Sequence, residues 1–156
     1  VRTEVSFRGR ASEAIVGWQM FLDRPLLGVG MRNYPVLYQE YSRRLGYDPR
    51  TEQREPHNLY LEIAAETGLA GLATFGSIIG ITFYRLRKAR TLFRDTNLHT
   101  EADMVAFLTI GIIGYLSTAM FIHGAYPRYL YLLIGIACAL PQIANSYIAR
   151  RITQHP

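Results

Sequence analysis

Residues 55–75 read EPHNLYLEIAAETGLAGLATF, which sets a histidine after a proline, at the mouth of a short amphipathic helix that runs straight into an uncharged apolar segment. An unperturbed imidazole titrates at about pH 6.5, so at neutral pH it can take a proton from a hydroxyl. From the residues alone, His57 reads either as such a base at the boundary between water and lipid or as a surface or capping residue beside Asn58. Arg10, by itself, reads as an exposed arginine or a lipid-headgroup contact. Glu62 and Glu66, one turn apart, are accounted for as the wet face of a helix. His123 reads first as part of an interfacial turn with Tyr126 and Arg128, and His99 and His155 fall in basic flanks. No histidine pairs with a carboxylate at the spacing of a metal motif, so no metal is expected. Cys138 is the single cysteine of the chain, which excludes a disulfide framework or a thiolate metal site.

The elements that must position these groups are set by hydropathy. The chain has 156 residues, 49% of them hydrophobic. Three long stretches carry no charge: Thr67 to Tyr84, Met104 to Pro127 and Tyr129 to Ala149. Each is close to the roughly 20 residues an α-helix needs to cross a hydrocarbon core. Buried helices of a soluble domain seldom run this long without a solvated face. The expected class is therefore mainly α, an integral membrane protein with an external head of helices and loops followed by three transmembrane helices. The expected division is head 1–66, spans 67–86, 104–122 and 129–149, connector 87–103, hairpin 123–128 and tail 150–156.

Basic residues fix the expected orientation. Arg85, Arg87, Lys88, Arg90 and Arg94 lie after the first span and Arg150 and Arg151 after the third, whereas the hairpin offers Arg128 alone. By the positive-inside rule the connector and tail are cytoplasmic and His57 is outside. The net charge of +5 does not point to nucleic acid, because residues 1–67 contain nine arginines against nine acids. The excess sits in the cytoplasmic flanks, where it signals topology and contact with anionic lipid. The chain opens on Val1 with no hydrophobic span ahead of the head, so it is expected to be the C-terminal part of a longer polytopic protein, partnered by N-terminal transmembrane helices of that protein. Gly76 and Gly80, and Gly111, Gly114 and Ser117, are small residues of the kind that let helices approach closely.

Within the head, ASEAIVGWQMFLD (11–23) predicts a helix with Ser12 as N-cap, an apolar stripe of Ala14, Trp18 and Phe21, and a stop enforced by Pro25. Trp18 reads as an interfacial or core aromatic. RPLLGVGMRNYP follows; Gly28 and Gly30 shape a tight turn, and with no third glycine and no preceding strand it is not a nucleotide loop. Tyr38 and Tyr41 share a helical face. The polar stretch to Pro56 is a loop whose tyrosines and arginines either line a sugar-binding surface or are solvated. A second helix begins with Asn58 as N-cap, and Gly68 is its C-cap or its junction with the first span.

Taken in order, the arginine of FRGR, a helix, PLLGVG with NYP after it, a variable loop and PHNLYLEIAAETGLAGL running into a span resemble the O-antigen ligase and polymerase family of polytopic membrane glycosyltransferases. The likeness covers about residues 8 to 86. It implies a metal-independent enzyme, needing no cofactor, of polysaccharide and lipopolysaccharide biosynthesis in the cell envelope. Such an enzyme lies in the cytoplasmic (inner) membrane with its head on the periplasmic or external side. It would move a glycan from undecaprenyl diphosphate to a hydroxyl of a lipid A core sugar or another glycan. The family's histidine falls on His57 and its arginine on Arg10, which makes these the catalytic candidates, with His57 as general base and Arg10 on the diphosphate. Arg24, Arg32, Asn58 and Tyr34 are the candidate substrate contacts in the same blocks. Without the upstream spans the chain is expected to be inactive.

The rival class is a non-catalytic membrane module of a polysaccharide transport or flippase system that binds lipid diphosphate through its arginines. A transporter places ionisable residues inside its spans. Here the three apolar stretches carry no Asp, Glu, Lys or Arg, with Pro141 as a potential kink.

Overall fold

The computed structural model describes residues 2–47, 56–121 and 128–154, with side chains from Ala11 onward in the first of these segments. Among the described residues there are five α-helices and no strand: α1 Arg2–Asp23, α2 Tyr34–Arg44, α3 Leu59–Asp95, α4 His99–Thr118 and α5 Arg128–Gln154. Three of them, α3, α4 and α5, are long and apolar enough to cross a membrane. At most 17% of each apolar window is buried within the chain. So much apolar surface is tolerable only against lipid or other apolar helices, and the protein is a mainly α integral membrane protein. The chain forms two compact units, one of Val1–Phe75 with Thr118–Tyr126 and the other of Gly76–Ser117 with Pro127–Pro156.

In the first unit α1 and α2 pack through Val16 and Met20 on one side and Tyr34, Tyr38 and Tyr41 on the other, joined by Val29 and by Ala65 of α3. The buried face of α1 thus runs through Glu13, Val16 and Met20. The expected stripe lies elsewhere: Ala14 and Trp18 are exposed and Phe21 is half-buried. The reason is that the true packing face includes a glycine and an acid, Gly17 and Glu13, which an apolar pattern does not register. Ser12 is not a cap either, because α1 is already helical ten residues earlier. The stop before Pro25 is as the sequence indicates.

Helix α3 is broken at Gly68, whose φ of 64° and ψ of −158° lie outside the helical region. A break at this point frees the carbonyls of Ala65 and Glu66 and the N–H groups of Leu69 and Ala70. The loop after α1 takes up all four. The N–H groups of Val29 and Gly30 donate to the carbonyls of Ala65 and Glu66, each at 2.9 Å, and the N–H groups of Leu69 and Ala70 donate to the carbonyls of Pro25 and Leu26 at 2.8 and 3.2 Å. The PLLGVG segment therefore substitutes for the missing helical hydrogen bonds, so these four backbone groups are paired where leaving them unpaired would be costly. Backbone approaches backbone so closely that a Cβ on Gly28 would lie 2.3 Å from the Glu66 carbonyl carbon, and one on Gly68 would lie 2.5 Å from that of Leu26. Both glycines have positive φ, +68° and +64°. Glycine is the residue that meets both demands.

In the second unit the remainder of α3 packs with α4 and α5 around Leu86, Phe93, Val105 and Ile112, with Ala137 and Ala144 admitting close approach. The basic connector expected between 87 and 103 is helical except for a turn at residues 96–98, closed by the left-handed Asn97 (φ 59°) and by Leu98 N–H donating to the Phe93 carbonyl at 2.8 Å. Hydroxyls in this unit bond back to their own helix, as Thr82 does to Ile78 and Thr109 to Val105. Glycines 76, 80, 111 and 114 would meet no atom within 4 Å if given a Cβ. Within this chain they do not mediate the close packing their spacing suggests.

Candidate active site

His57 is positioned by the start of α3. Pro56 is fully buried and anchors the chain just before it. Asn58 then caps the helix, its Oδ1 accepting the N–H groups of Tyr60 and Leu61 at 3.0 Å each. The helix start is held from a third direction by the Leu59 N–H, which donates to the Ala119 carbonyl at 2.9 Å. Residue 119 directly follows α4, so the turn after the second apolar helix lies against the beginning of the first.

Around His57 there is an open pocket whose wall is formed by Ala14, Leu61, Met120 and Phe121, with Asn58 at its edge. Met120 and Phe121 are well exposed. An imidazole and an amide thus face a largely apolar wall, the composition of a site that takes an amphipathic ligand.

The second feature was not anticipated from the sequence. His57 Nδ1 lies 2.8 Å from Glu13 Oε2. The glutamate side chain is 2% exposed and the imidazole 39% exposed. Glu62 and Glu66, expected on a wet face, are buried as well. Glu66 Oε1 accepts the Tyr34 N–H at 3.3 Å, so it caps α2 from outside, where the residue at the N-cap position, Asn33, makes no side-chain capping bond. A carboxylate at a helix N-terminus is favoured by the helix dipole.

The other expected site residues are spread out. Arg10 sits on α1 one turn before Glu13; its side chain lies outside the described residues. Arg24 and Arg32 are exposed in the loop between α1 and α2, Arg32 with a left-handed φ of 61°. Tyr34 is fully buried, and its hydroxyl donates to the Glu13 carbonyl at 2.6 Å. Burial, with Tyr38 and Glu13 nearby, pushes the hydroxyl well above the ordinary tyrosine range, so it stays a neutral donor. The structure places Tyr34 in the core, with no surface for a substrate. Asn58 combines its capping role with a place at the pocket. His123 and Tyr126 lie outside the described residues.

The helical head thus carries a histidine at a pocket and feeds directly into an apolar helix. The sequence model of the O-antigen ligase family matches residues 2–76. Over that stretch the chain is similar to the O-antigen ligase family. The matched stretch ends one residue beyond the first segment of the first unit, Val1–Phe75, so the family's pattern and this compact unit nearly coincide. No curated protein and no solved structure matches the chain.

Proposed function

We propose that this O-antigen ligase-like protein transfers a glycan from undecaprenyl diphosphate to a hydroxyl of a lipid A core sugar or another glycan, with His57 as the general base. The observation that carries the reading is the place of His57: half-exposed, at a pocket, at the start of the helix that becomes the first span. A lipid-linked donor keeps its tail in the bilayer and its diphosphate at the interface, so reacting groups belong at that level.

The acceptor hydroxyl gives its proton to the imidazole as its oxygen attacks the anomeric carbon. The bond from that carbon to the diphosphate oxygen breaks, the configuration inverts and undecaprenyl diphosphate departs. A positioned base contributes about 10²- to 10⁴-fold to such a step. The departing diphosphate gains charge, and Arg10 offers a permanent positive charge with a planar donor fork matched to phosphate oxygens. Arg24 and Arg32, exposed in the adjoining loop, assist in drawing the donor to the site. In this reading the protein is multi-pass in the cytoplasmic membrane, its head on the periplasmic or external side and its arginine-rich flanks inside.

In the full chain, His57→Ala is expected to abolish glycan transfer while expression and membrane insertion persist. Glycan laddering on gels checks this. Normal laddering from that variant removes the reading, and a donor-turnover assay separates an enzyme from a module that only binds lipid diphosphate.

A further inference from the structure

We infer that Glu13 is a positioning residue for His57: its buried carboxylate fixes the imidazole tautomer and stabilises the imidazolium that forms during transfer. The inference rests on the reading of His57 as base and names the group that makes it effective.

Three observations carry it. The carboxylate is 2.8 Å from Nδ1, the distance of a charge-assisted hydrogen bond. Its side chain is almost wholly buried while the imidazole is not, so the pair has a dry end and an end toward the pocket. Thirdly, the tie between α1 and α2 does not need this carboxylate. It is made by Tyr34 Oη donating to the backbone carbonyl of Glu13 and by a hydroxyl pair, Ser12 Oγ with Tyr38 Oη at 3.1 Å. A buried carboxylate needs a compensating partner, and the imidazole at the pocket is such a partner at 2.8 Å.

With Oε2 as acceptor, Nδ1 carries the hydrogen and donates it, and base chemistry falls to Nε2. During attack the acceptor hydroxyl proton moves to Nε2, the Nδ1–H bond stays where it was, and Glu13 remains ionised beside a cation. The proton leaves to water once the product has gone. This is the orienting role a carboxylate plays behind a catalytic histidine in hydrolases, serving here a sugar hydroxyl instead of a serine. Tyr34, Tyr38, Glu13 and Glu62 lie near one another, and Glu13 Oε2 is in direct contact with the ring.

The test uses the full chain in membranes, with kcat and the acceptor KM measured across pH for wild type, Glu13→Gln and His57→Ala. Glu13→Gln keeps the volume and an acceptor oxygen but removes the charge. The expected result is an acceptor KM within about 2-fold of wild type and a kcat lowered about 10- to 100-fold, no more than the smallest contribution of a general base, about 10²-fold. A purely structural glutamate would lower the yield of folded protein without lowering the kcat of the protein that folds. Wild-type kcat in folded Glu13→Gln, with His57→Ala inactive, overturns the inference and leaves the base reading intact. An active His57→Ala overturns the base reading itself. If Glu13→Gln does not accumulate, Glu13→Asp, which draws the carboxylate back by one methylene, decides: a lowered kcat at unchanged KM supports the role, and wild-type kcat refutes it.

Discussion

The two units of this protein handle polar groups in opposite ways. In the second, the hydroxyls of Thr82, Thr109 and Ser117 bond back to their own helix, and the core is mostly aliphatic with small residues. In the first, three glutamates are buried, a helix is broken and resealed by a loop, and a histidine is held by a side chain 44 positions away in sequence. The first is over-determined by specific groups, which is the state in which a fold can hold reactive geometry. The family match falls on this unit.

That contrast can be broken by substitution. The largest effect on stability is expected at Gly68 and Gly28. Alanine there would force a Cβ within 2.5 and 2.3 Å of backbone carbon at positive φ, and strain plus overpacking together cost about 2–6 kcal/mol. Detergent-solubilised thermal stability should collapse, whereas alanine at Gly76 or Gly111, where nothing lies within 4 Å, should leave it unchanged or slightly raised. Equal tolerance at both pairs would erase the distinction between the units.

A smaller effect is expected for Glu66→Ala, which takes the carboxylate from the N-terminus of α2 and costs about 1–3 kcal/mol. Glu66→Gln, which keeps an oxygen for the Tyr34 N–H, should recover part of it. Thermal melts of the solubilised chain measure both. Smallest is Tyr34→Phe, removing the hydroxyl that reaches the Glu13 carbonyl, at about 1 kcal/mol. If transfer activity also falls in that variant, the tie between α1 and α2 helps to set the Glu13–His57 distance; if only stability falls, Tyr34 is packing alone.

The sequence made the spans legible because length and absence of charge are one-dimensional properties. So are the cap at Asn58, the stop before Pro25 and the need for glycine at position 28. The buried acids were not legible. Glu13, Glu62 and Glu66 sit at helical positions where a solvated acid would look the same, and what buries them comes from other elements: Tyr34 and the loop at 24–31. The apolar stripe on α1 was placed on the wrong face because a periodicity count passes over Gly17 and Glu13. Nor could Gly68 be read as a break in place of a cap, since its sealing partners at Pro25 and Leu26 lie more than forty residues earlier. Of the expected site, His57 and Asn58 come together at one pocket, while Arg24 and Arg32 remain on an exposed loop and Tyr34 goes to the core.

The most direct test is single-turnover transfer by purified full chain in lipid, wild type against His57→Ala, with lipid-linked donor and acceptor glycan followed by chromatography. The account predicts donor binding within a few-fold of wild type and a transfer rate lowered by at least about 100-fold, the lower bound of what a general base contributes. A His57→Ala protein that transfers glycan within about 2-fold of the wild-type rate would contradict it.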